Sequence, residues 1–260
     1  MPRGAPWAPW RGTFTKTRNV VVVKNLRIPG RCACAPEAHD LRTPLASLQL
    51  TLEHAANRAD DPSTKELLAS ALNDVVYLAA LTNNLRLASQ FRDGWDPQSD
   101  SPGADLKDVA ERVVTRTSIF AKQRGIALEA AFPDGPVFVH CHPVAAEQTV
   151  SNIVENAVIY GHKGGHVAVV LDQETRGFRL RISDDGPGVP PAELPRLGQR
   201  TFRSTESRER DPRGSGLGLA ISAEVCRRCG WTLQFVAETP VGLRVQIEGA
   251  SISPFSSRRS

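Results

Sequence analysis

The sequence predicts an α+β fold: a helical hairpin followed by a mixed sheet with helices packed on it. Three observations predict it. From Glu37 to about residue 92, apolar residues recur at steps of three and four. Beyond Ile126, short segments of period two are interleaved with helical segments. One such strand, Phe178-Arg179-Leu180-Arg181-Ile182, runs directly into Asp184-Asp185-Gly186-Pro187-Gly188.

The chain of 260 residues is 40% hydrophobic and 23% charged, enough for two modest domains. A formal charge of +4 is too small to point to nucleic acid. No apolar run approaches the length of a membrane span, and no signal-peptide core precedes Val20. The expectation is therefore a soluble, cytoplasmic protein. Five cysteines fit a reduced compartment better than a disulfide framework.

Residues 1–35 carry seven basic side chains, from Arg3 to Arg31, with no acid before Glu37. They read as a basic, irregular extension. It is either a solvated tail or a contact for anionic lipid or an acidic partner.

Residues 36–92 read as a helical hairpin. Leu41, Leu45, Leu48, Leu52 and Ala55 form a heptad seam, with Pro36 as the helix start. His39 falls one position after the seam, so it points outward, with Asp40 beside it and Thr43 on its face. Pro44 removes one backbone hydrogen bond and bends the helix just past His39. Asp60-Asp61-Pro62-Ser63 is a turn and cap. A second helix follows, with Leu68, Ala71, Val75, Leu78, Thr82 and Leu85 as its seam. One hairpin has a narrow core. Two would make a four-helix bundle, so a homodimer is expected.

Residues 93–104, rich in Gly, Pro, Asp and Ser, read as a linker, and 105–250 as the second domain. Its expected order is a helix over 105–124, strands at 126–131 and 137–140, and a helix over 143–160. Strands at 166–172 and 178–183 come next, then a helix over 216–228 and strands at 231–238 and 242–248. Residues 251–260 form a Ser/Arg tail, expected to be disordered.

Three groups of residues in this domain suggest chemistry. Asp184 ends a strand, and a carboxylate there can accept hydrogen bonds from an exocyclic amine. Gly186 and Gly188 let the backbone turn and let a flat ligand come close. The same residues also make good turn chemistry. Asn152 and Asn156 share one helix face and offer neutral oxygens to a cation and amides to phosphate. They also read as surface asparagines. Gly214, Gly216 and Gly218, with Leu217 between, open a helix. Bare N–H groups and the helix dipole there suit phosphate. No Gly-Lys-Ser/Thr follows, so this is not a Walker loop.

Taken in order, these groups resemble the catalytic half of a two-component sensor histidine kinase. His39-Asp40-Leu41-Arg42-Thr43-Pro44-Leu45 resembles that family's phosphoacceptor box almost letter for letter. Asn152 to Ala157 resembles its asparagine box, Asp184 to Gly188 and Gly214 to Leu219 its two glycine boxes, and Thr201-Phe202-Arg203, faintly, its phenylalanine box. The likeness spans about 36–248.

The resemblance implies half of a dimeric four-helix bundle followed by an α/β sandwich ATP-binding domain of the Bergerat type. It implies that Asp184 accepts the adenine amine. It implies that Asn156 holds Mg²⁺ on the phosphates of ATP with Asn152 assisting, and that Gly214, Gly216, Leu217 and Gly218 shape the phosphate end. It also implies that His39 attacks the γ-phosphate with Asp40 on its other ring nitrogen. Arg203 and Arg213 become candidates for neutralising the moving charge. The phosphoryl group would pass to an aspartate on the receiver domain of a separate response regulator, and Thr43 could orient water that removes phosphate from the regulator.

The sequence departs from the family at Ile159, where a basic residue is usual and Lys163 is the candidate substitute. It departs again at Val241-Gly242-Leu243-Arg244, where a serine or threonine is usual, and at the irregular segment before His39. These departures motivate the alternative of a catalytically weak or truncated homologue acting as an interaction partner or regulator phosphatase. A gyrase-like or anti-sigma-factor ATPase would leave the box around His39 without explanation. Cys226 and Cys229, with Cys32 and Cys34, could form a metal site, but ordinary partly buried thiols are the expectation. His140, His142, His162 and His166 read as loop histidines.

Overall fold

The structure, a computed structural model, describes residues 20–22, 42–99, 101–200, 202–204, 214–238 and 241–252. His39, Asp40, Cys32, Cys34 and Arg213 lie outside them.

Helices α1 (Arg42–Arg58) and α2 (Pro62–Arg92) form the hairpin. Pro44 is the third residue of α1 as described, and Pro36 lies outside the described residues. Asp61 caps α2: its Oδ2 accepts from Thr64 N at 2.8 Å, and Pro62 follows with φ pre-set for a helix start.

The seam read from the sequence is only half of what α2 presents. Val75 and Leu72 are buried, but Leu78 and Leu85 stand 46% and 47% exposed. Leu87, Ala88 and Phe91 instead enter the core of the second domain. The helix thus carries two apolar faces.

Within the stretch 93–99, Trp95 and Gln98 are packed against the second domain. Trp95 stacks on Phe91 with centroids 5.7 Å apart and meets His142 edge-on. Gln98 Nε2 donates to Cys229 O at 3.1 Å. Arg228 donates to Trp95 O at 2.6 Å and to Phe91 O at 3.0 Å, and lies over the Phe91 ring.

The second domain has two layers. A mixed six-stranded sheet runs β1 (Val20–Val22), β7 (Thr232–Ala237), β8 (Leu243–Ala250), β6 (Gly177–Asp184), β5 (His166–Glu174), β3 (Ala127–Ala131). Only β3 and β5 pair in parallel; the other neighbours are antiparallel. β2 (Ala104–Asp105) and β4 (Phe138–Val139) make a separate small ladder. Strand β1 falls within the stretch read as irregular and extends the sheet at β7, with Val20 opposite Val236.

Alternate residues of the long strands face the core: Val167, Val169 and Leu171 on β5, Leu180 and Ile182 on β6, Leu233 and Phe235 on β7. Over them lie α3 (Leu106–Gln123), α4 (Pro143–Tyr160) and α5 (Gly218–Arg228). The other face is polar, with Arg181 on Asp172 at 2.5 Å and Arg179 between Glu174 and Glu248 at 2.8 and 2.6 Å. Such half-exposed pairs contribute about 0–1 kcal/mol each and serve mainly to keep that face wet.

Helix α4 begins and ends where the sequence places it. Pro143 occupies the first helical position, His142 Nδ1 accepts from Val144 N at 3.2 Å, and Gly161 stops it. Among the described residues, no helix is long and apolar enough to cross a membrane.

Candidate nucleotide site

One face of α4, the end of β6 and the start of α5 enclose a cavity of about 160 Å³. Its walls include Asn152, Glu155, Asn156, Asp184, Gly188, Gly214, Gly216 and Gly218. Residues 66 positions apart in the chain therefore meet, because β6 and α5 both pack against α4.

Asp184 is the last residue of β6 and turns its carboxylate into the cavity. Burial pushes its pKa up from 3.8 to about 6, against the lowering effect of backbone N–H groups from Gly186 and Leu243. Gly186 N donates to Asp184 Oδ1 at 3.0 Å. Asp185 turns away: its Oδ1 accepts from His166 N at 2.9 Å and lies 3.5 Å from His162 Nδ1. One aspartate of the pair thus pins the turn and the other faces the ligand space.

The glycines are sterically required. A Cβ on Gly186 would stand 2.9 Å from both Asp184 Oδ1 and Tyr160 O. Gly188 has φ +72°, and its Cβ would meet Gly242 O at 2.9 Å. Gly186 therefore supports the carboxylate from behind, whereas Gly188 is itself on the wall. Of the second glycine group, Gly214, Gly216 and Gly218 line the cavity, while Leu217 is buried as the N-cap residue of α5. No side chain caps α5, so its first N–H groups remain open to an anion.

Asn156 lines the cavity half-buried. Asn152 is 4% exposed, and its amide is fully engaged. Its Oδ1 accepts from Gln148 Nε2 at 3.0 Å and Asn84 Nδ2 at 3.1 Å; its Nδ2 donates to Asn84 Oδ1 and Gly218 O, both at 3.0 Å. Glu155, between the asparagines, accepts from Ser151 Oγ at 2.5 Å, and burial holds its pKa above the usual value.

Arg203 also borders the cavity, its Nη1 donating to Gly214 O at 2.8 Å. Ile159 is on the wall, and Arg124 Nη2 donates to its carbonyl at 2.9 Å. Lys163 does not replace the missing basic residue here: its stem packs toward Gly125, away from the lining. Only the backbone of Thr43 is described, within the first turn of α1.

The sequence reading missed one wall entirely. Tyr77, Ala80, Leu81 and Asn84 of α2 close the cavity from the hairpin side. Their spacing at 77, 80, 81 and 84 is helical, but nothing local distinguishes it from the face beside it.

Cys141, Cys226 and Cys229 are buried free thiols. The neighbouring Cys229 thiol and burial push the Cys141 pKa up, and burial does the same for Cys226, so both stay in the weakly nucleophilic thiol form. Among the described residues no His, Cys, Asp or Glu cluster could hold a metal ion.

Comparison with known proteins adds to this geometry. Residues 38–94 match the family model described as "His Kinase A (phospho-acceptor) domain". Residues 141–249 match that described as "Histidine kinase-, DNA gyrase B-, and HSP90-like ATPase". Sensor histidine kinase CpxA of Escherichia coli (strain K12) is 30% identical over 206 residues, which are 79% of this chain and 43% of CpxA. The chain thus spans less than half the length of that relative. The solved structure of the mycobacterial sensor histidine kinase MprB is 30% identical, with a TM-score of 0.50, and the match covers 58% of this chain and 97% of that one. Full-length ShkA, solved in complex with AMPPNP, is alike in fold at 20% identity and a TM-score of 0.55, over 85% of this chain and 48% of ShkA.

Proposed function

The chain belongs to the two-component sensor histidine kinases, and from that premise we propose that it is an ATP-dependent protein histidine autokinase. The observation that carries the proposal is the convergence of Asp184, Asn156 and the open start of α5 on one cavity. It supplies an acceptor, a neutral oxygen and bare N–H groups in the arrangement a purine triphosphate needs.

ATP fits this donor set as substrate. Asp184, ionised above pH 6, accepts from the adenine amine, and Gly188 forms part of the wall beside it. The apolar residues Ile182, Val189 and Leu243 face the base. Gly216 and Gly218 present backbone N–H groups and the α5 dipole to the phosphates. Mg²⁺ suits the phosphate end, since it binds through substrate phosphates with few protein ligands. Asn156 would hold it, and it would neutralise charge on the moving group. Arg203 on the cavity border would add positive charge there, and Arg213, outside the described residues, is a second candidate from the sequence.

His39 supplies the nucleophile. An N–P bond forms from one ring nitrogen, and the bond from the γ-phosphorus to the bridging oxygen breaks, leaving ADP. The proton on the other ring nitrogen passes to Asp40. The phosphoryl group then goes to an aspartate of a separate response regulator, and Thr43 orients the water that hydrolyses that aspartyl phosphate, releasing inorganic phosphate. The exposed Leu48, Leu50, Leu67, Leu78 and Leu85 on the hairpin support a homodimer that buries them in a four-helix bundle.

Incubation with γ-labelled ATP and Mg²⁺ tests this. The expected product carries an acid-labile, base-stable label that His39→Gln abolishes. ATP binding without label would favour the interaction-partner reading, and hydrolysis without label a plain ATPase.

A further inference from the structure

We infer that helix α2 is a built-in stop on the nucleotide site. The reciprocal Asn84–Asn152 amide pair closes it, and full nucleotide binding requires Asn84 to let go. This rests on reading the cavity as a nucleotide site and adds how that site is regulated.

The first support is saturation. A primary amide has two acceptor positions and two N–H groups, and Asn152 uses all four. It has nothing left for a phosphate or cation. Gln148 and Gly218, two of its three partner residues, belong to the sheet domain. Asn84 alone comes from the hairpin and can leave with it.

The second is burial. Asn84 is 5% exposed and Asn152 4%. A buried amide without partners is unfavourable, so the pair holds α2 in one register against α4. Because Asn152 also grips Gly218 O, the position of α2 reaches the glycine loop at the phosphate end.

The third is space. The cavity of about 160 Å³ falls below the roughly 300–1,000 Å³ of ordinary ligand pockets. Tyr77, Leu81 and Asn84 of α2 take up part of its wall.

If the closed form is favoured about tenfold, apparent nucleotide affinity is lowered by about the same factor. Removing the pair should restore it. Asn84→Ala deletes both bonds. Asn84→Asp keeps the volume but sets an oxygen against Asn152 Oδ1, so it tests the same point in a chain whose packing is retained.

Two measurements on the full-length protein decide the matter. Hydroxyl-radical footprinting without nucleotide should show Tyr77 and Leu81 oxidised faster in both variants than in the parent. A fluorescent ATP analogue with Mg²⁺ should bind both variants about three- to tenfold tighter. Unchanged footprints, or affinities equal to or weaker than the parent's, overturn the stop and make Asn84 part of the binding surface. If the parent binds no nucleotide at all, the functional reading falls, and the footprinting still decides whether Asn84 holds α2 down.

Discussion

Replacing Asp184 by asparagine should make the ligand-free protein more stable while removing its grip on a purine amine. The carboxyl has its pKa raised from 3.8 to about 6, chiefly by burial. A shift of that size corresponds to about 3 kcal/mol, and solvent at the cavity mouth screens it to about 2. The sign follows from linkage. The folded chain binds this proton more tightly than the unfolded one, so stability falls as pH rises from about 4 to about 6, and the cost is complete above that. Asparagine has no such titration. Asp184→Asn should therefore gain about 2 kcal/mol at pH 8, or about 4–8 °C in melting temperature for a chain of this size, and close to nothing at pH 4. Denaturant unfolding at the two pH values measures it. A gain of equal size at both, or a loss at pH 8, would refute the account of Asp184 as a carboxylate held charged at a cost in stability for a ligand's sake.

Four further expectations follow from the same geometry. Nucleotide affinity should weaken as pH falls through about 6, approaching tenfold per unit below it, because the protonated Asp184 no longer accepts freely; calorimetric titration between pH 5 and 8 reads this. Gly242→Ala should destabilise the fold by about 1–3 kcal/mol or more, since φ is +126° and the new Cβ would sit 2.1 Å from Asp184 O; a lost or unchanged melting transition distinguishes the outcomes. Asn156→Ala should abolish the Mg²⁺ dependence of nucleotide binding while leaving the melting temperature within a few degrees, as its side chain stands on the cavity wall rather than in the core. Peptides containing Cys141, Cys226 and Cys229 should resist alkylation until denaturant is added; rapid native labelling would contradict their burial.

Much of the catalytic half is legible in the sequence because local chemistry marks it. Pro143 and Gly161 bracket α4, and Gly186 and Gly188 mark backbone packed too closely for a Cβ. Alternation along Phe178 to Ile182 places Asp184 at a strand end. What stays hidden is whatever depends on which neighbour a face meets. The seam of α2 shows that apolar residues recur, yet Leu78 and Leu85 lie exposed while Leu87 and Phe91 are buried in the other domain. Asn84 is an ordinary helical asparagine until α4 is laid beside it. Asn152 reads as a ligand-facing amide, but two of its three partners come from 68 and 66 positions away. Lys163 looks near enough to replace the missing base at Ile159, but the turn after α4 carries its stem onto Gly125. The strand Val20–Val22 is too short to announce itself among basic and proline-rich neighbours.

The clamp of Arg228 on Phe91 and Trp95 decides where any swing of the hairpin must pivot. The lower end of α2 is rooted among Leu87, Ala88 and Phe91, and residues 93–99 are tied to both α5 and His142. Residues 93–99 therefore offer no free joint, and bending falls inside α2, close to Asn84. From there to Pro62 the helix is a rod of about 33 Å. A bend of about 10° at its root carries the far end through about 6 Å, so a small movement at one amide pair becomes a large displacement of the turn between the two hairpin helices.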